Sequence, residues 1–284
     1  MRGHFSRNRA VFILSFFFLI GAGLLVRGQF KPSEIAQREQ WEEFLTTADI
    51  VKVEDIGEGV TAPWKVYLKK GDLEKKAAFK YVRGMLYGYE EGWQYEIAAY
   101  RMDKLLGLDM IPPTVEREVK RENSDVRKGA LSLWAESKIS LLNLMEQGGT
   151  PPPSTDPAKY LTRAFDSLIA NDDRTQQNAL YTEDWRMILI DHSRSFRSDG
   201  KFAKKLMYGA HSIKKFQDGG LILFRRLPRA FIEKVKALDF ATIKNAMGPY
   251  LTEKEIKAVL ARKKLLLDEI AEMIKESGED KVLY

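Results

Sequence analysis

The sequence predicts an α+β chain in two parts, β-rich first and α-helical second, preceded by an N-terminal apolar helix. Three observations predict it. Apolar and polar residues alternate through 51–82, and helical spacing dominates from 158 onward. Between the two patterns runs a Pro/Gly-rich stretch, 148–157 (GGTPPPSTDP), too rigid and irregular for a regular element.

The first 28 residues stand apart. Ala10 to Val26 is a run of 17 residues without a charge, behind Arg2, Arg7 and Arg9. A membrane-spanning helix takes about 20 apolar residues, and a signal-peptide core about 7 to 15. The length falls between, so a signal peptide cut after Gly28 and a retained membrane anchor both stay open. A buried core helix is a third reading, opposed by the all-round apolarity of the run. Three arginines before it, against Arg27 and Lys31 after it, favour an inside N-terminus and an exported, extracytoplasmic body.

Residues 29–50 read as a charged helical spacer starting at a Ser33 N-cap. Strands follow at 51–56, 64–68 and 75–82, the last two joined across Lys70-Gly71-Asp72, a hairpin turn. Gly92 to Leu106 reads as a helix ended by Gly107. Strands are expected at 111–119, opening on Pro112-Pro113, and at 130–136. Past the 148–157 loop come a helix at 158–170, a polar run, and a short hairpin of 179–181 with 187–190. From Lys201 the chain reads as predominantly helical, with a capping box of Thr252 and Glu255 stapled by Leu251 and Ile256. Strand-strand-strand-helix-strand-strand is the element order of a protein-kinase N-lobe. The expectation is therefore a bilobal kinase-like fold, with a β-rich N-lobe over 51–147 and a helical C-lobe over 158–284.

Composition narrows the chemistry. Of the net +6, four arginines lie in the acid-free first 28 residues, which leaves +2 on the rest and argues against a nucleic-acid partner. There is no cysteine, which removes thiol nucleophiles, disulfides, and Cys-ligated zinc or iron–sulfur sites. Three histidines, His4, His192 and His211, cannot make a multi-histidine metal centre. Carboxylates, lysine, asparagine and backbone must carry the chemistry.

The informative stretch is 169–196, IANDDRTQQNALYTEDWRMILIDHSRSF. Asp173 and Asn178 lie five apart in a polar loop, and Asp191 follows the apolar strand Ile188-Leu189-Ile190. Phosphoryl transfer needs an acid at the acceptor hydroxyl and hard oxygen ligands for a divalent cation. Kinases place a catalytic Asp and Asn five apart and a metal-binding Asp after the next hairpin. Asp173 is therefore the candidate catalytic residue, with Asn178 and Asp191 the candidate metal ligands. The bland reading is a capped loop, since Asp and Asn are common in turns. Lys80, in the third strand, and Glu96, one turn into the following helix, fit a pair that positions nucleotide phosphates. Gly57 and Gly59 (IGEGVT) lie between the first two strands, where bare backbone can approach phosphates; an ordinary hairpin turn explains them equally well. Asp191-His192-Ser193 holds the residue types of a hydrolase triad, but sequence neighbours do not form that relay, and no G-x-S-x-G is present.

These residues resemble a family. Tyr95-Glu96-Ile97-Ala98-Ala99-Tyr100 through Gly107, then Ile111-Pro112-Pro113, Ala170-Asn171-Asp172-Asp173-Arg174 and Ile190-Asp191-His192-Ser193-Arg194-Ser195-Phe196, are similar to the secretory-pathway kinases. That group, of the Golgi casein kinase and four-jointed types, belongs to the atypical kinases with HipA-like and phosphoinositide-kinase-like enzymes. The resemblance implies ATP with Mg or Mn as cofactors. It implies Asp173 as catalytic base, Asp191 as metal ligand, and Lys80 with Glu96 as the phosphate-positioning pair. Asn178 departs from the secretory group, which tends to an acid there, and matches the HipA and phosphoinositide types. The implied activity is a phosphotransferase whose acceptor partner is a protein or glycan hydroxyl, held at a membrane if the leader is uncleaved. A pseudokinase serving as a nucleotide-binding regulatory module, and a phosphoinositide-type kinase, are the alternatives.

Overall fold

The computed structural model describes residues 30–57, 61–122, 124–214 and 224–284; the apolar N-terminal run and Gly59 lie outside them. Among the described residues no helix is long and apolar enough to cross a membrane.

The chain opens with α1 (Pro32–Ala36) and α2 (Arg38–Thr47). Ser33 is not the cap. Pro32 occupies the first helical position, where its missing N–H costs nothing, and this moves the boundary to Lys31. The segment read as a spacer does more than link. Phe44 and Leu45 of α2 enter the core under the sheet, and buried Arg38 reaches Asp103 and Asp109 at 3.2 and 2.8 Å.

Strands β1 (Asp49–Asp55), β2 (Trp64–Lys70) and β3 (Leu73–Lys80) form an antiparallel meander. Lys70 pairs with Leu73, so Gly71 and Asp72 make a two-residue turn, with Gly71 at φ 60°. A second, separate hairpin, β4 (Arg83–Leu86) and β5 (Tyr89–Gly92), precedes α3 (Trp93–Leu106). Gly107 in the left-handed region ends α3. Strand β6 (Thr114–Val119) starts only after Pro112-Pro113, whose nitrogens have no proton for a ladder, and β7 (Arg127–Leu133) inserts between β3 and β6. The sheet order is β1-β2-β3-β7-β6.

β8 (Ile139–Ser140) and α4 (Leu141–Glu146) lead to the Pro-rich loop, which winds through a 3-10 turn into α5 (Asp156–Ile169). That helix starts before Ala158 because Pro157 fits a first turn. β9 (Ala179–Tyr181) and β10 (Met187–Leu189) pair as expected. The described part of 201–228 holds a single 3-10 turn and is otherwise irregular, so helix resumes only at α6 (Arg229–Ala237). α7 (Phe240–Met247), α8 (Glu253–Ser277) and α9 (Glu279–Val282) complete the chain, with the Thr252/Glu255 capping box in place.

One hydrophobic cluster lies under the sheet with α2, and a larger one joins the helices of the second half. Helix α3 is wedged between them. Eleven of its 14 residues are buried, against β6 and β7 on one side and α6 and α7 on the other.

Candidate active site

Three distant segments deliver charges to one point. β3 ends at Lys80, the first turn of α3 carries Glu96, and the backbone leaving β10 turns at Asp191. Lys80 Nζ lies 2.7 Å from Glu96 Oε1 and 2.6 Å from Asp191 Oδ1. Burial alone would depress the ammonium, but the Asp191 and Glu96 carboxylates outweigh it and hold Lys80 above its ordinary range. Burial would likewise raise Glu96; Lys80 and His192 overcome that and hold it below the usual carboxylate value.

Glu96 also accepts the His192 backbone N–H at 3.0 Å on both oxygens. This fixes the peptide after Asp191, whose φ of 61° lies in the left-handed region that a non-glycine residue adopts only at a cost of about 1–3 kcal/mol. One carboxylate therefore grips the lysine and the kink that aims Asp191.

Asp173 and Asn178 are brought together by their own loop. Asn178 Nδ2 donates to the Asp173 carbonyl at 2.9 Å, and the Asn171 side chain accepts the Asp173 N–H at 3.1 Å. Burial pushes the Asp173 carboxyl up, Arg194 pulls it back, and Asp191 adds to the rise.

Beneath both groups lies Arg174, which the sequence reading did not single out. Its guanidinium meets Asp166 at 3.0 and 3.2 Å and donates to the carbonyls of Asn178 and Ile190, each at 2.8 Å. It also lies 2.8 Å from His192 Nε2. Arginine has only donors, so Nε2 accepts and the proton sits on Nδ1, facing Glu96 Oε2 at 3.7 Å. Burial lowers the His192 pKa, in keeping with a neutral ring. The signal for this hub was Asp166, an acid inside the apolar run Ala164-Phe165-Asp166-Ser167-Leu168, which must find a cation when buried.

Arg194 and Glu91 were missed too. Arg194 Nε lies 2.6 Å from Glu91 Oε1, its Nη1 lies 3.3 Å from Asp173 Oδ1, and its guanidinium stacks 4.1 Å from the Tyr89 ring centre. The Ser193 hydroxyl lies 2.6 Å from Glu91 Oε2 and 3.1 Å from Asp191 Oδ1, and its one proton serves one acceptor at a time. The Gly92 N–H donates to the Ser193 carbonyl at 2.9 Å. The β4–β5 hairpin is thus rooted on the loop after Asp191.

The two glycines are placed less closely. Gly57, at φ 82°, follows β1, and pairing of Trp64 with Phe79 sets the β1–β2 turn at the end of the sheet where Lys80 lies. No contact joins Gly57 to the Lys80 cluster among the described residues, and Gly59 lies outside them.

Asp191, Asp173 and Asn178 offer hard oxygen donors, the set that Mg or Mn takes, and the Asp191 side chain is 33% exposed, open to an incoming ion. Among the described residues no cluster of three acidic, His or Cys side chains could hold a metal without other ligands.

No family model and no curated protein sequence matches the chain. Solved structures do match its fold. Hydra Fam20 with sugar has a TM-score of 0.64 at 16% identity, covering 91% of this chain and 95% of that one. The Golgi casein kinase with Mn/ADP bound has a TM-score of 0.63 at 15% identity, covering 90% and 80%. A second Golgi casein kinase structure gives 0.59 at 16% identity, covering 87% and 79%. At such identities the likeness is one of fold: the chain has the kinase-like fold of the Fam20 and Golgi casein kinase type, an antiparallel sheet joined to a helical half.

Proposed function

We propose that the chain is an ATP-dependent phosphotransferase that acts on a hydroxyl of a protein or glycan. The observation that carries the reading is the convergence of Lys80, Glu96 and Asp191, from β3, α3 and the loop after β10, within 2.6–2.7 Å of one ammonium. Fixing a buried lysine between two carboxylates on rigid elements suits a group that must later bind phosphate oxygens without reorganising.

In this reading Lys80 exchanges Asp191 for a phosphate oxygen while Glu96 keeps it in place. Asp191 and Asn178 would hold the divalent ion, Mg or Mn, which would supply charge neutralisation at the phosphates. The Gly57 and Gly59 turn would offer bare backbone to the phosphates. Asp173 orients the acceptor hydroxyl and takes its proton; its raised pKa keeps it a better base than a fully exposed aspartate. The relatives in fold include a kinase with Mn/ADP bound and a protein with sugar, which supports this choice of cofactor and acceptor class.

The arginines ahead of the apolar run support an exported body, with 1–28 as signal peptide or single membrane anchor. The test uses radiolabelled ATP with the protein itself and a mixed protein and glycan pool as acceptors. Asp173→Asn is expected to cut turnover by about 100- to 10,000-fold with nucleotide affinity retained. Equal labelling by parent and variant overturns the phosphotransferase reading and favours a binding role.

A further inference from the structure

The loop after Asp191 carries a second cation to the site. Arg194 is 14% exposed, and its two ends do different things: Nε faces Glu91, which is 2% exposed, while Nη1 faces Asp173 Oδ1. An exposed ion pair would be worth little. This one is largely removed from water, backed by the Tyr89 ring on its flat face, with Nε hydrogen-bonded to Glu91 and Nη1 in ion-pair range of Asp173. The Asp173 side chain stays 30% exposed, and among the described residues no hydrogen bond reaches its Oδ2.

We infer that Arg194 is a positioning residue for phosphoryl acceptance: anchored by Glu91, it fixes Asp173 Oδ1 and leaves Oδ2 turned to the acceptor hydroxyl. The inference rests on the reading of Asp173 as the base. It adds that the aim of the base is set by β5 and the Asp191 loop, and not by the loop that carries Asp173. Because Glu91 shares Ser193 with Asp191, the same circuit ties the acceptor side to the metal-binding side.

The full-length protein carrying Arg194→Gln, Arg194→Lys or Asp173→Asn is assayed with radiolabelled ATP, magnesium and the mixed protein and glycan pool. Arg194→Gln is expected to lower turnover roughly 100-fold, the effect of a base misplaced by about 1 Å, with the KM for ATP unchanged. Arg194→Lys does not restore it, because a point charge cannot span Glu91 and Asp173 together. Parent-like turnover in Arg194→Gln, beside an Asp173→Asn that has lost its activity, overturns the inference and leaves the proposed function standing. A loss that comes with a raised KM for ATP or a lost thermal transition makes Arg194 merely structural and overturns it as well. Equal labelling by parent and Asp173→Asn overturns both.

Discussion

The two ends of the site are built from different material. At the inner end, Lys80 stands on a sheet strand and Glu96 on a helix buried on both sides, and their side chains are 16% and 6% exposed. At the outer end, Asp173 and Arg194 stand on loops, and their anchor Glu91 belongs to a two-stranded hairpin that joins no other sheet. That hairpin carries Met85, Tyr87 and Tyr89 at 72%, 78% and 49% exposure. An isolated hairpin is marginal in water, so its root on Ser193 and Arg194 is what keeps it in place. The inner end is preorganised by regular structure. The outer end depends on a chain of side-chain contacts.

The largest effect should come from the residue both ends share. Arg174→Ala leaves Asp166 buried without its cation and frees the carbonyls of Asn178 and Ile190. A loss of about 3–5 kcal/mol in denaturant unfolding is expected. A loss below about 1 kcal/mol would mean that the two ends are held independently.

A smaller effect, with a pH signature, tests the inner end. Folding holds the Glu96 carboxyl below its ordinary value near 4.5. Its contribution is therefore full above about pH 4.5 and drains away as pH falls through the folded value. Glu96→Gln should be less stable than the parent at pH 7, by about 2 kcal/mol, and the gap should shrink as pH falls below about 4.5. A gap that is constant with pH would detach Glu96 from the Lys80 pair.

The smallest effect belongs to the outer end. Tyr87 and Gly88 form the hairpin turn at φ 48° and 82°, and a side chain at Gly88 meets open space. Gly88→Ala should cost about 1 kcal/mol of backbone strain. Hydrogen exchange should rise in 83–92, while the thermal shift on adding ATP and magnesium stays at the parent value. A changed nucleotide shift would show that the hairpin reaches the inner end.

The same contrast explains what the sequence could tell. Strands β1 to β3 alternate visibly, Gly71 marks their turn, Gly107 closes α3, and an apolar strand points at Asp191, so the inner end was legible from local pattern. The hairpin at 83–92 (RGMLYGYEEG) has neither clean alternation nor an Asn-Gly turn, and its fold depends on Glu91 meeting Arg194 across 103 residues. Arg174 was hidden for a similar reason, since its partners come from α5, the 3-10 turn before β9 and the loop after β10. The irregular path of the described part of 201–228 was overwritten by the helical composition around it. Ser33 looked like a cap because the preceding proline was not weighed as a first-turn residue.

The burial of α3 on both faces bears on how such a molecule is turned on and off. Swinging this helix outward would expose Trp93, Tyr95, Ile97, Tyr100, Met102 and Leu106 together, at a cost on the order of 10 kcal/mol. Few phosphorylation events or docking partners deliver that much differential binding energy. Control by helix rotation is thereby closed to this fold, and the clamp on Lys80 is permanent once the chain has folded. Under the proposed function, what remains adjustable is supply: when nucleotide, metal and acceptor arrive.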